Sequence, residues 1–167
     1  FLVGFFYFSG WRELYEALKA RDDINIKILI GLDTDIHLGR VVEVASPNAD
    51  TCTQNELVGR FYASLCTALQ DEVLDTQEFY EQVSFFLHLL ENGRLQIRKT
   101  FDPNHAKLYL FSLDETGQEV ADKPGRFITG SSNLTRSGLL GQHEFNVEIG
   151  DYGWGDAGAY FDELWDS

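Results

Sequence analysis

Apolar runs and helical periodicities alternate along this chain of 167 residues. Phe1 to Phe8 is a nearly unbroken apolar run, the pattern of a strand covered on both faces. Ser9 follows where it can cap a helix whose apolar positions, Trp11, Leu14, Tyr15 and Leu18, share one face. Ile24 to Leu32 predicts a second strand, with Ile24, Ile26, Ile28 and Ile30 lining one side and an apolar far end on the other. Asp33 to Asp50 is irregular. Glu56 to Leu74 and Thr76 to Glu91 predict two helices. The second carries Phe79, Tyr80, Val83, Phe86, Leu87 and Leu90 at helical spacing and ends at Asn92-Gly93. Strands are predicted at Leu95 to Lys99, His105 to Ser112, Arg126 to Thr129 and Glu144 to Ile149. Between them, the polar stretch Asp114 to Gly125 suits an exposed hairpin or loop. Asp156 to Trp165 closes the chain as an amphipathic helix. Strands alternating with helices give an α/β fold, a mixed sheet flanked by helices on both faces.

Composition narrows this to one globular domain over residues 1–167, since 44% hydrophobic and 14% aromatic residues supply one sizeable core. There is no internal repeat or linker, and no apolar run reaches the roughly 20 residues a membrane span needs. Phe1 to Phe8 lacks the basic flank and cleavage site of a signal peptide. The chain has no methionine, opens inside a strand pattern and stops inside a helical one. It therefore reads as the N-terminal fragment of a longer protein, as a chain from which methionines are missing, or as both. Two cysteines, Cys52 and Cys66, cannot form a metal site alone; reduced thiols and a cytoplasmic setting are the expectation, with Cys66 a small core residue. A net charge of −14 argues against a nucleic-acid partner in general. The distribution qualifies that: residues 94–136 hold seven Lys and Arg against five acids, so cations gather in one stretch of an acidic chain.

Candidate chemistry lies in that stretch. In His105-Ala106-Lys107-Leu108-Tyr109-Leu110-Phe111, residues two apart project to one face of a strand, so His105 and Lys107 point together. A lysine buried beside a histidine is costly unless an anion visits, which is the character of a phosphate pocket. The plainer reading is an edge strand whose His and Lys face water. Gly130-Ser131-Ser132-Asn133 follows a short apolar strand, and its glycine, hydroxyls and carboxamide suit close approach to a ligand and short donors to it. Alone, it fits an ordinary strand-to-helix turn with a serine cap. Asn133-Leu134-Thr135 also matches a glycosylation acceptor, with nothing else pointing to secretion. His88 lies in a helical apolar pattern and reads as a satisfied core residue; His37 falls in the irregular stretch, and His143, just before Glu144, reads equally as a border of the site and as a surface histidine. Neither a zinc motif nor a nucleotide-binding loop is present, so no metal and no cofactor are expected.

Taken together, His-x-Lys and Gly-Ser-x-Asn on successive strands resemble the phospholipase D superfamily. The opening strand and helix, the Ile24 to Leu32 strand, and a carboxylate, Glu144, about a dozen positions after Asn133 extend the resemblance over nearly the whole chain. It is nearest to domains that precede helicase or restriction modules in bacterial DNA-processing proteins, whose exit helix is similar to Phe161-Asp162-Glu163-Leu164-Trp165. Two features depart from the family pattern. Its aspartate five positions after the lysine is Ser112 here, and the gap from Lys107 to Gly130 is longer than usual.

The resemblance implies a metal-independent phosphodiesterase, a nuclease acting on DNA through a covalent phosphohistidine. His105 would attack phosphorus, Lys107 and Asn133 would hold its oxygens, and Glu144 would orient His105. Ser131 and Ser132 would contact substrate. The family builds its site from two His-x-Lys motifs and this chain has one, since Gly39, Leu90 and Phe145 follow the other histidines at that spacing. A homodimer with His105 residues facing across a twofold axis would complete it. The competing reading is a catalytically silent module that binds nucleic acid or protein for an attached helicase. No membrane partner is expected.

Overall fold

The computed structural model describes residues 1–35, 76–112 and 125–167. The helix expected over residues 56–74, the hairpin or loop expected over residues 114–125 except Gly125, which opens a strand, and His37, Cys52 and Cys66 lie outside them. Six strands, β1 (Leu2–Tyr7), β2 (Ile26–Asp35), β3 (Leu95–Lys99), β4 (Leu108–Ser112), β5 (Gly125–Gly130) and β6 (Asn146–Ile149), form one mixed sheet in the order β3-β2-β1-β4-β5-β6. β1, β2 and β3 run parallel, while β4, β5 and β6 continue the sheet as an antiparallel meander.

Strand alternation sends side chains to two separate cores. Val3, Phe6, Ile26, Ile28 and Ile30 pack under the helices α1 (Phe8–Leu18) and α2 (Gln77–Glu91) through Trp11, Leu18, Phe79, Val83 and Phe86. Leu2, Leu29, Leu108 and Phe127 pack on the other face under α3 (Trp154–Asp166), whose Phe161 and Trp165 are buried. This is the expected sandwich, a mixed sheet with helices on both faces. Thr76 caps α2 by accepting from the Phe79 N–H at 3.2 Å, and Gly93 follows with φ +75°, a left-handed conformation cheap only for glycine.

Several boundaries differ from the sequence reading, each for a tertiary reason. α1 begins at Phe8 with Tyr7 before it, so Ser9 does not cap; its hydroxyl instead accepts from the Arg136 N–H at 3.4 Å. The helix start is fixed by Gly10 lying against the backbone of Leu134 and Thr135, where a Cβ would collide. β2 continues to Asp35, into the stretch read as irregular, because β1 pairs with it up to Tyr7↔Asp35. β4 starts at Leu108 rather than His105, and β6 at Asn146 rather than Glu144. His88 is exposed, not a core residue; it falls off the stripe that Phe86 and Leu89 bury.

The join between the two halves of the sheet is narrow. β1 and β4 share the single pair Leu2↔Leu108. Beyond it the sheet forks: the chain before β4 leaves the plane, and Leu134 moves in beside β1, bridging Phe6 and accepting from the Tyr7 N–H at 3.0 Å.

Candidate active site

The fork brings together segments far apart in sequence. After β3, the chain runs on beside the middle of β2: the Asn104 N–H donates to the Gly31 carbonyl at 2.9 Å, and the Asn104 carboxamide accepts from the Ala106 N–H at 2.8 Å and donates to the Tyr160 hydroxyl at 2.9 Å. That loop delivers His105, exposed, and Lys107, 6% exposed, to the mouth of the fork. The Lys107 ammonium donates to the His105 carbonyl at 2.8 Å and lies 2.8 Å and 3.2 Å from the two ring nitrogens of the same residue. Since an ammonium can only donate, the nitrogen that receives it does so through its lone pair. Phe5 meets the His105 ring edge-on at 6.5 Å.

Burial pushes the Lys107 ammonium below the ordinary lysine range, and the nearby Glu144 carboxylate acts in the opposite sense. Among the described residues no ion pair compensates Lys107. A cation held out of water with no carboxylate on it is the electrostatic setting of an anion site.

Asn133 reaches the same place from the other branch. Its Oδ1 accepts from the Phe5 N–H at 3.0 Å, which fixes the carboxamide and leaves Nδ2, with no partner among the described residues, to face a ligand. Gly4 forms the floor: a Cβ there would lie 3.2 Å from Asn133 Oδ1 and 3.5 Å from His105 Cδ2. Asn133→Asp should therefore keep the Phe5 contact and lose the donor. We expect it to unfold within about 1 kcal/mol of the parent and to lose most affinity for inorganic phosphate, whereas Asn133→Ala should lose both, since an orphaned N–H costs about 1–3 kcal/mol. Calorimetry and phosphate titration check this; parental phosphate affinity in Asn133→Asp would refute the donor assignment.

The two serines sit differently. Ser131 is exposed, its hydroxyl accepting from the Phe145 N–H at 3.1 Å. Ser132 is 4% exposed, and all its polar groups are engaged: its carbonyl accepts from the Tyr109 hydroxyl at 2.9 Å, its hydroxyl from Asn146 Nδ2 at 2.8 Å, and its N–H donates to Asn146 Oδ1 at 3.4 Å. Neither Tyr109 nor Asn146 stands out in the sequence. Tyr109 reads as one apolar residue of a buried strand, and Asn146 as one polar position two residues beyond Glu144. Burial first, then Glu144, pushes the Tyr109 phenol up, so it stays a proton donor to Ser132.

Glu144 lies close enough to act on Lys107 and Tyr109, yet among the described residues it makes no hydrogen bond to His105. Ser112 closes β4, pairing with Gly125 at the far end of that strand. At roughly 3.4 Å per residue it lies about 17 Å from Lys107, so this departure removes no group from the pocket. No three His, Cys, Asp or Glu side chains among the described residues are grouped to hold a metal ion.

Compared with known families, residues 1–165 match the domain described as "Cardiolipin synthase, PLD-like domain". The chain is a PLD-like domain of the phospholipase D superfamily. The match covers both branches of the fork, so the segments carrying His105, Lys107, Asn133 and Glu144 all fall within the PLD-like domain, and a phosphodiesterase-type superfamily frames their chemistry. A comparison with curated proteins finds no match. No described helix of the PLD-like domain is long and apolar enough to cross a membrane.

Proposed function

We propose that this PLD-like domain is a metal-independent phosphodiesterase, a nuclease that cleaves DNA through a covalent intermediate on His105. The observation that carries this reading is Lys107, buried, with no ion-pair partner among the described residues and in contact with the His105 ring. A ring nitrogen of His105 attacks phosphorus, the leaving oxygen takes a proton from a second histidine, and water then resolves the phosphohistidine. Lys107 Nζ and Asn133 Nδ2 offset charge on the five-coordinate phosphorus. The Lys107 ammonium must come off the imidazole as the phosphate arrives, so the anion frees the nucleophile it will meet. Glu144 works against the burial of Lys107, favouring the charged ammonium through the field it exerts there.

The second histidine comes from a second copy. Pairing two β6 edges cannot bring the sites together, because β4 would face its counterpart across five strand spacings, about 24 Å. The copies meet over the strand ends that carry the fork, where Phe101 and Phe145 are exposed on either side. In the parent protein we place this domain in the cytoplasm, ahead of a helicase or restriction module. A silent binding module is the other reading, suggested by Ser112 and the net charge of −14; the position of Ser112 away from the pocket favours activity.

With its phosphate contacts made by side chains, hydrolysis of plasmid, single-stranded DNA or a chromogenic diester should proceed at an unchanged rate in excess EDTA. Strict dependence on added magnesium or zinc would end this mechanism, and no cleavage of any of the three would favour the silent module.

A further inference from the structure

We propose that Asn146 is a positioning residue for the anion site, setting the direction of the Asn133 amide through Ser132. The inference rests on reading the fork as a phosphate pocket, but its geometry stands separately. Asn146 uses both ends of its carboxamide on one buried neighbour, donating from Nδ2 to the Ser132 hydroxyl and accepting on Oδ1 from the Ser132 N–H. The Tyr109 hydroxyl holds the remaining polar group, the Ser132 carbonyl. That carbonyl belongs to the peptide leading into Asn133, so its plane is fixed from β4 and β6 together. Asn133 is then pinned on its other side by the Phe5 N–H of β1.

Gly130 is an independent sign that this arrangement is built in. A Cβ at Gly130 would collide with the Phe145 carbonyl and with Asn146 Oδ1, so the bare backbone there is what admits the Asn146 amide. Gly130 has an ordinary negative φ, and its need for glycine is therefore space and not conformation. β6 is also joined to the sheet by Ile149, which packs on the core under α3, and by the exposed Arg126–Glu148 pair at 2.7 Å, of a kind that contributes little to stability.

If Asn146 sets the site, its loss should cost ligand affinity more than folding. Asn146→Ala is expected to weaken inorganic phosphate about tenfold by titration calorimetry and to move the side-chain amide resonance of Asn133 in the free protein. Glu148→Gln, which removes the ion pair between β6 and Arg126, should leave both unchanged. Ser132→Ala should weaken phosphate by a similar factor, and the double variant should be no worse than either single one, since both remove one linkage. Additive losses, or an Asn133 resonance and phosphate affinity unaltered in Asn146→Ala, would overturn the assignment. If the parent protein binds no phosphate, the pocket reading fails instead, while the Asn133 resonance still reports whether Asn146 positions it.

Discussion

Replacing His105 with alanine should lower diester hydrolysis by at least about 10⁴-fold, the scale of loss when a covalent nucleophile is removed from an enzyme whose other groups remain. Folding should be almost unaffected, because the His105 ring is exposed and its described contacts are to Lys107 and the edge of Phe5. The informative measurement is a titration, in which the variant is mixed with parent protein under conditions of subunit exchange. If each site draws a histidine from both copies, activity falls as the square of the parental fraction. A linear fall would mean that every chain works alone, and would remove the composite site while keeping the nucleophile. Parental turnover in the pure variant would place the activity outside this pocket.

Gly31→Ala should be the most damaging single methyl in the described structure. An added Cβ would run into the backbone carbonyl of Asn104, a neighbour that cannot swing aside as a flexible side chain would. The loop that delivers His105 is held there by the Asn104 N–H to Gly31 carbonyl bond, so the clash breaks the contact it displaces. Overpacking of this kind costs about 3 kcal/mol, which for a domain of this size lowers Tm by roughly 6–12 °C. Phosphate affinity should fall with it, since His105 and Lys107 move with the loop. A Tm within a degree or two of the parent would show that the loop has room the structure does not display. Gly155, whose added Cβ would meet nothing within 4 Å, is the matched control.

Much of this architecture was legible in the residues. The isoleucines of β2 did go to one core and Leu29 to the other, and Thr76 to Glu91 formed its helix, because these patterns depend only on period and burial. His105 and Lys107 do meet, but not as alternate residues of a strand. Both precede β4, and the contact arises because the Lys107 side chain folds back over its neighbour. Strand periodicity could not show that, since the end of a strand is decided by what pairs with it, here a Thr129 hydroxyl donating to the Lys107 carbonyl at 2.9 Å. Asn146 was invisible for a similar reason. A carboxamide at the head of a short exposed strand acquires meaning only when the fold brings Ser132 to it.

The single pair joining β1 to β4 has a bearing on motion. Each half of the sheet is laced internally, while across the fork the described backbone links are few: Leu2 with Leu108, and the Phe6 and Tyr7 contacts to Leu134. A fluctuation that parts the halves there breaks few hydrogen bonds, so the least protected amides of β1 should be those of Phe5 and Tyr7, exchanging by local opening well short of global unfolding. An anion held by Lys107 from one branch and Asn133 from the other spans that line of weakness. Its binding energy adds to the cost of opening, so ligand occupancy and the rigidity of the whole sheet rise together.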